Sequence, residues 1–356
     1  MPRILIVNPY GIGDVLFTTP VIRALREHAP NTFIGILLGS RTNPLLKLNP
    51  DLNIIFNYNK DIFRSLPLLR KGLYLLKLIW DIRKQNFDIF IDLSNTDEYA
   101  FFAKFIFRIP VRIGFQYRKR GRYLNYKTPL PQGFAQKHVS EHYQDLLKHL
   151  NISPSLEKTL YFYTDDSQKT WLKTLFMNHQ ISNNHKVICL LPGGGKSWGK
   201  GASFKYWPLK HYSKLAQLLA QKSEVKIVLI GAKEDQELCQ KLKEEHPFLL
   251  DLSGKTTLEQ LSLLIGQANL VIGNESGPLH LTVAIGTPSI AIYGPVDPQV
   301  YGPYSKYKKH ETLFHEIPCH PCYQNFRMPP CENQICLKEL LPKTVFERAS
   351  LLLESK

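Results

Sequence analysis

Three short segments of this chain bring together residues able to act on an anionic, phosphorylated ligand. The first is Asn8-Pro9-Tyr10-Gly11-Ile12-Gly13-Asp14. Gly11 and Gly13 let a backbone approach a ligand closely. Asp14 is a carboxylate that can take a proton from an attacking hydroxyl, although an Asp here can equally cap a helix. The segment is neither GxGxxG nor a P-loop, so it supports neither a dinucleotide fold nor an ATPase. The second is Pro192-Gly193-Gly194-Gly195-Lys196-Ser197, with Lys200 and Lys205 downstream. A turn centred on Gly194 can offer backbone N–H groups to phosphate oxygens, and a plain surface loop is the alternative. The third is Gly273-Asn274-Glu275-Ser276-Gly277-Pro278-Leu279-His280. Pro278 suits a helix start, and a helix N-terminus with unbonded N–H groups suits a diphosphate. Glu275 can accept hydrogen bonds from sugar hydroxyls. Ser276 can cap the helix or meet a phosphate, and His280 reads either as a ligand contact or as a buried structural histidine.

A fourth cluster, Cys319-x2-Cys322-x8-Cys331-x4-Cys336, lies near the end. Its spacing fits a zinc site, and it fits equally a disulfide or redox-sensitive pair, or four packing thiols. His315-Glu316-Ile317-Pro318-Cys319-His320 has one residue too many for HExxH, and Pro318 opposes the helix that motif needs, so a metalloprotease is not expected. No Asp-x-Asp pair occurs to hold a divalent ion, which leaves lysines and helix dipoles to neutralise a diphosphate.

Positioning these segments requires strands that end just before them. Apolar, β-branched runs at Ile4–Val7, Phe33–Leu38, Asn53–Phe56, Phe87–Leu93 and Val111–Gly114 predict strands in the first half. Helices are expected at 67–84, 98–107 and 138–149, and another after Thr19, with Pro20 at its first position. A break at Ser153-Pro154-Ser155 reads as a linker. The second half repeats the alternation. Strands are expected at Val187–Leu191, Lys226–Ile230, Leu249–Leu252, Leu270–Ile272 and Ser289–Tyr293, with helices at 209–221, 234–245, 257–267, 277–285 and 343–354. This is an α/β chain of two Rossmann-like parallel-sheet domains facing a cleft, 1–155 and 156–342. A terminal helix, 343–356, could pack back on the first domain.

The chain has 356 residues and a net charge of +15. Residues 1–150 hold 22 Lys+Arg against 11 Asp+Glu, so the first half carries most of the excess and is the better anion-facing half. Its densest run is Arg118, Lys119, Arg120 and Arg122. No nucleic-acid motif accompanies that run, so nucleic acid is not an expected partner. No 18-residue apolar run or secretory stretch is present, which predicts a cytoplasmic protein with reduced cysteines. The Leu-rich, basic segment Leu66–Ile82 could lie on the inner face of an anionic membrane, or pack as an ordinary surface helix.

Taken together, these motifs resemble a known family. Gly11-Ile12-Gly13-Asp14, followed by Thr18-Thr19-Pro20-Val21-Ile22-Arg23-Ala24-Leu25, resembles the opening of the ADP-heptose:lipopolysaccharide heptosyltransferases, glycosyltransferase family 9. Asn274 to Leu281, then Ala284, Gly286, Pro288 and Gly294, resembles its donor-site signature. Lys205-Tyr206-Trp207-Pro208 matches its Lys-x-Trp-Pro element, and Cys319-His320-Pro321-Cys322 a Cys-x-Pro-Cys element. The resemblance spans residues 3–348 and implies a GT-B fold. It also implies inverting transfer from ADP-heptose to the anionic inner core (Kdo/heptose) of lipopolysaccharide, with no metal and no cofactor. Asp14 would be the base. Lys205, Ser276, Gly277 and the helix start at 277–280, which includes Pro278, would hold the diphosphate, with Gly194 on the donor side by its glycine-rich turn, and Glu275 and His280 would contact the donor. Glu234 would face the adenosine ribose, and Gly13, Arg118 and Arg120 would lie on the acceptor side. Glu275 stands where this family more often has Asp. A GT-B transferase for another sugar nucleotide, or a non-catalytic sugar-nucleotide binder, fits the same motifs.

Overall fold

In the first half, the apolar run after Arg3 is buried on both faces, as a central strand of a parallel sheet must be. The computed structural model describes residues 2–194 and 199–354, so Gly195, Lys196 and Ser197 of the glycine-rich turn lie outside the described residues. Two units form, Met1–Tyr163 and Thr164–Lys356. The first holds strands β1 (Arg3–Asn8), β2 (Phe33–Gly39), β3 (Ile54–Tyr58), β4 (Ile89–Asp92), β5 (Val111–Gln116) and β6 (Tyr126–Pro129). The second holds β7 (Lys186–Leu191), β8 (Val225–Leu229), β9 (Leu250–Asp251), β10 (Leu270–Asn274), β11 (Ser289–Ile292) and β12 (His310–Leu313).

The sheet orders are β3-β2-β1-β4-β5-β6 and β12-β11-β10-β7-β8-β9, and every pair is parallel. Counted within its own unit, each sheet reads 3-2-1-4-5-6, the Rossmann order. Strand order therefore reverses between β1 and β4, and again between β7 and β10. Ligands of such sheets bind beyond the carboxyl ends at that reversal. The three chemistry-bearing segments follow β1, β7 and β10 and so emerge at these two points.

Several expectations are corrected. The sequence reading missed β6 and β12 because they are short, polar edge strands with no apolar run to announce them. It also missed the helix Lys169–Asn178. The unit boundary falls after Tyr163 rather than after 155. The reason is that the intervening segment packs on the first unit: Leu160 is buried and the Tyr161 amide donates to Thr19 Oγ1 at 2.9 Å. The terminal helix Pro342–Glu354, which could have packed on the first domain, is part of the second unit. Its buried Val345, Ala349 and Leu353 belong to the second unit's core, with Ile188, Leu215 and Leu219.

The largest correction concerns Pro20. The first helix starts at Ile12 and runs to His28 with Pro20 inside it. Proline removes the N–H that would bond the carbonyl of Leu16. Thr19 supplies the missing donor, its hydroxyl reaching the Leu16 oxygen at 2.7 Å. Thr19 thus serves the helix interior rather than a cap. Thr19→Val keeps the shape but strands both Leu16 O and Tyr161 N. Its unfolding free energy in urea should fall by about 2 kcal/mol, and an unchanged stability would contradict this role.

Candidate active site

At the end of β1, Asn8 is fully buried and acts as a clamp. Its Nδ2 donates to the Asp14 carbonyl at 2.9 Å and to Thr18 Oγ1 at 2.8 Å, while its Oδ1 accepts from the Tyr10 amide. Thr18 Oγ1 in turn donates to the Asp14 carbonyl at 3.0 Å. The backbone of Asp14 is therefore fixed in the helix's first turn, with Gly13 beside it. The Asp14 carboxylate is half-buried and accepts from the Gly11 amide at 3.3 Å. That contact is long, so the capping role is present but weak.

The loop after β4 reaches the same place. Tyr10 donates its hydroxyl to the Ser94 carbonyl, and Arg120 donates to the Asn95 carbonyl at 3.1 Å. Asp97 accepts from the amides of Gly121 and Arg122, which anchors the arginine-rich turn to this loop. Burial, then the charges of Asp92 and Asp14, push the Tyr10 hydroxyl up to about 12, with Arg120 opposing. Asp14, Tyr10, Asp92 and Arg120 thus share one neighbourhood. Arg118 is exposed, its guanidinium 5.0 Å from the Tyr117 ring.

The sequence reading did not single out Asp92. It ends β4 opposite Val7, fully buried. Its Oδ1 accepts from the Ser94 amide at 2.8 Å and the Ser94 hydroxyl at 2.5 Å, while Oδ2 is buried without a partner. Burial pushes this carboxyl up to about 7. A charge closing an otherwise apolar strand was the available signal.

The second unit repeats the clamp. Asn274 ends β10, fully buried. Its Oδ1 accepts from the Trp207 amide at 2.9 Å and lies 3.0 Å from the Tyr212 hydroxyl. Its Nδ2 donates to the carbonyls of Pro192 and Gly193 at 2.8 and 3.1 Å. One amide therefore ties the glycine-rich turn after β7 to the segment containing Lys205. Trp207 is locked further by its Nε1, which donates to the Leu340 carbonyl at 2.8 Å.

That locking sets Lys205, which closes the short helix Gly199–Lys205 and is buried. Its ammonium pairs with Glu275 Oε2, and Glu275 Oε1 lies 3.5 Å from His280 Nε2. Burial opposes the Glu275 charge. The Lys205 ammonium and a hydrogen bond from His280 outweigh it and hold the carboxyl down at about 2. Ser276, next in the chain, is buried and begins the helix Gly277–Ile285, yet its hydroxyl makes no capping bond and has no partner among the described residues. A buried, unsatisfied hydroxyl at a helix N-terminus is placed to meet an anion.

Gly193 and Gly194 are glycines for reasons of packing. A Cβ at Gly193 would stand 2.0 Å from Asp235 Oδ1, and one at Gly194 2.8 Å from the Tyr206 ring. The sequence reading chose Glu234, which is exposed in the turn after β8. Its neighbour Asp235 is the buried one and accepts from the Ala232 amide at 2.9 Å.

The four late cysteines line one cavity with Phe204, Pro295 and Ile317. All six cysteines of the chain are free thiols. Burial, followed by repulsion from the neighbouring thiols, pushes Cys336 up to about 11. Among the described residues no group of three or more His, Cys, Asp or Glu is arranged to hold a metal ion.

With this geometry established, comparison with known proteins is decisive. Residues 75–330 match the model of glycosyltransferase family 9 (heptosyltransferase). The chain belongs to this family. It is 30% identical to lipooligosaccharide heptosyltransferase 2 of Campylobacter jejuni, over 98% of this chain and 99% of that one. The fold matches a family 9 glycosyl transferase from Veillonella parvula, with a TM-score of 0.82 and 21% identity, covering 100% of this chain and 98% of that one. It also matches the ADP-heptose LPS heptosyltransferase II of Escherichia coli, with a TM-score of 0.74 and 23% identity, over 99% and 98% of the two chains. Membership makes this family 9 chain a glycosyltransferase of the heptosyltransferase type, with the GT-B fold class expected from its motifs.

The Lys205–Glu275 pair has a signature in acid. A carboxyl lowered from 4.5 to about 2 contributes stability above pH 4.5, and that contribution is lost as pH falls through about 2. Glu275→Gln should therefore flatten the dependence of Tm on pH across that window and lower Tm at pH 7. Parallel curves for the two proteins would contradict the pairing.

Proposed function

We propose that this protein transfers a heptose, with inversion, from ADP-heptose to an anionic inner-core (Kdo/heptose) acceptor of lipopolysaccharide. The single observation that carries the reading is the set after β10. There a buried lysine is held by Glu275, and the adjacent Ser276 hydroxyl, at a helix N-terminus, is buried with no partner among the described residues. Such donors are fixed before the reaction and favour charge arriving on a departing diphosphate. Gly277 and Pro278 form the first turn of that helix, and Pro278 has no N–H to leave unsatisfied.

In this reading the donor sits on the second unit, with the diphosphate at Lys205, Ser276 and the amide of Gly277. Gly194 lines the same strand reversal, and Glu234 takes the ribose side. Glu275 and His280 act on the donor through Lys205 as well as by contact. The acceptor sits on the first unit, where Arg120 and Arg118 meet its anionic groups. Asp14 removes the proton of the acceptor hydroxyl. The oxygen attacks the anomeric carbon from the face opposite ADP, a C–O bond forms, and the bond to the β-phosphate oxygen breaks with its electron pair leaving on ADP. The lysine and the helix dipole take the role that a divalent cation fills in other sugar transferases, and we read the reaction as metal-independent.

Asp14→Asn should lower kcat by roughly 10²–10⁴-fold with ADP affinity unchanged, measured by product formation and calorimetry. Near-normal turnover would remove Asp14 as the base. Lys205→Ala should chiefly weaken ADP-heptose binding, and unchanged donor affinity would contradict its assignment. Turnover with ADP-heptose and truncated lipopolysaccharide should persist in a chelator. Its loss, with recovery on adding a divalent ion, would overturn the metal-free reading.

A further inference from the structure

The helix Leu68–Arg83 has two apolar faces, and the fold uses one of them. On the inner face Ile82 is buried in the first unit's core and Leu78 packs against it. Tyr74 on that side accepts from the Asn59 amide at 2.8 Å. The outer face carries Leu69, Leu73, Leu76 and Trp80, which remain 86%, 67%, 62% and 64% exposed. Their spacing of four, three and four residues aligns them in one stripe along the helix. At Gly72, beside the stripe, an added Cβ would meet nothing within 4 Å.

Four large apolar side chains this exposed, in one row, mark an interaction surface rather than scattered surface residues. Charge selects the partner. Residues 68–84 contain Arg70, Lys71, Lys77, Arg83 and Lys84 against a single acid, Asp81, which is paired with Lys84 at 2.8 Å. Arg70, Lys77 and Lys84 repeat every seven residues and so flank the stripe along one side. The Lys84 ammonium lies 4.3 Å from the Trp80 ring centre. A second copy docked face to face on this helix would set one basic flank against another. An anionic lipid surface meets both features at once, apolar row and basic flank. The helix has 16 residues, and no helix among the described residues is long and apolar enough to cross a membrane. The fitting geometry is therefore a helix lying in the interface plane.

We propose that the outer face of the helix Leu68–Arg83 docks on an anionic bilayer surface, with Leu69, Leu73, Leu76 and Trp80 in the headgroup–acyl boundary and Arg70, Lys77 and Lys84 on the headgroups. This goes beyond the transfer reading and stands without it.

The test is co-sedimentation of the full chain with phosphatidylcholine vesicles, with and without phosphatidylglycerol. Binding should require phosphatidylglycerol and weaken several-fold in high salt. The double variant Leu73→Glu, Leu76→Glu should bind roughly tenfold more weakly or less, while its circular dichroism and Tm match the parent because both side chains are already in solvent. Lys77→Ala with Arg70→Ala should weaken binding to anionic vesicles and reduce the salt effect. The proposal is overturned if the parent does not bind anionic vesicles, or if the Leu73→Glu, Leu76→Glu variant binds them as the parent does. Sedimentation showing a dimer that this variant splits would assign the stripe to a second copy instead.

Discussion

The arrangement depends on a buried amide closing a strand at each strand reversal. Asn274 engages both its oxygen and its nitrogen, and its partners come from three separate stretches of chain. Without it, the turn after β7 and the Trp207 segment would each carry unsatisfied buried backbone groups, at about 1–3 kcal/mol per group. With it, Lys205 is delivered to Glu275 and the Ser276 helix start follows directly. Asn8 does the same work after β1, where it sets the backbone of Asp14. Chemistry at both ends rests on neutral side chains that touch no substrate in the proposed reaction.

Around these clamps the charges are graded. Lys205 and Glu275 form a buried pair, which is costly to break from either side but contributes fixed geometry more than net stability. Asp92 is the opposite case, a buried carboxyl without a cationic partner among the described residues. Its raised value near 7 means that it favours folding below its ordinary 3.8, and this contribution fades as pH rises through 7.

Much of this was legible in the sequence, for a physical reason. Buried parallel strands are continuous apolar runs, so the central strands and the segments that follow them could be read directly. The stretch from Asn274 to His280 stood out because glycine, proline and charge gather there at the end of an apolar run, whereas Asp14 and Lys205 took their roles from the family that their segments resemble. Edge strands β6 and β12 were hidden by their polarity. Pro20 misled because a proline after a threonine is the usual mark of a helix start, and only the Thr19 hydroxyl bonded to Leu16 shows why it is tolerated in mid-helix. The roles of Asn8, Asn274, Asp92 and Asp235 depend on long-range partners that no spacing rule reveals. The outer stripe of the helix Leu68–Arg83 was visible as composition, but only packing shows which leucines are left in solvent.

The central claim is that departing ADP is received at the start of the helix Gly277–Ile285. The most direct measurement is a crystal structure of the protein with ADP bound. The account predicts the β-phosphate within hydrogen-bond distance of Ser276 Oγ and the Gly277 amide, with the Lys205 ammonium turned onto it. An ADP bound elsewhere on the chain, or a diphosphate beyond reach of both Ser276 and Lys205, would contradict it.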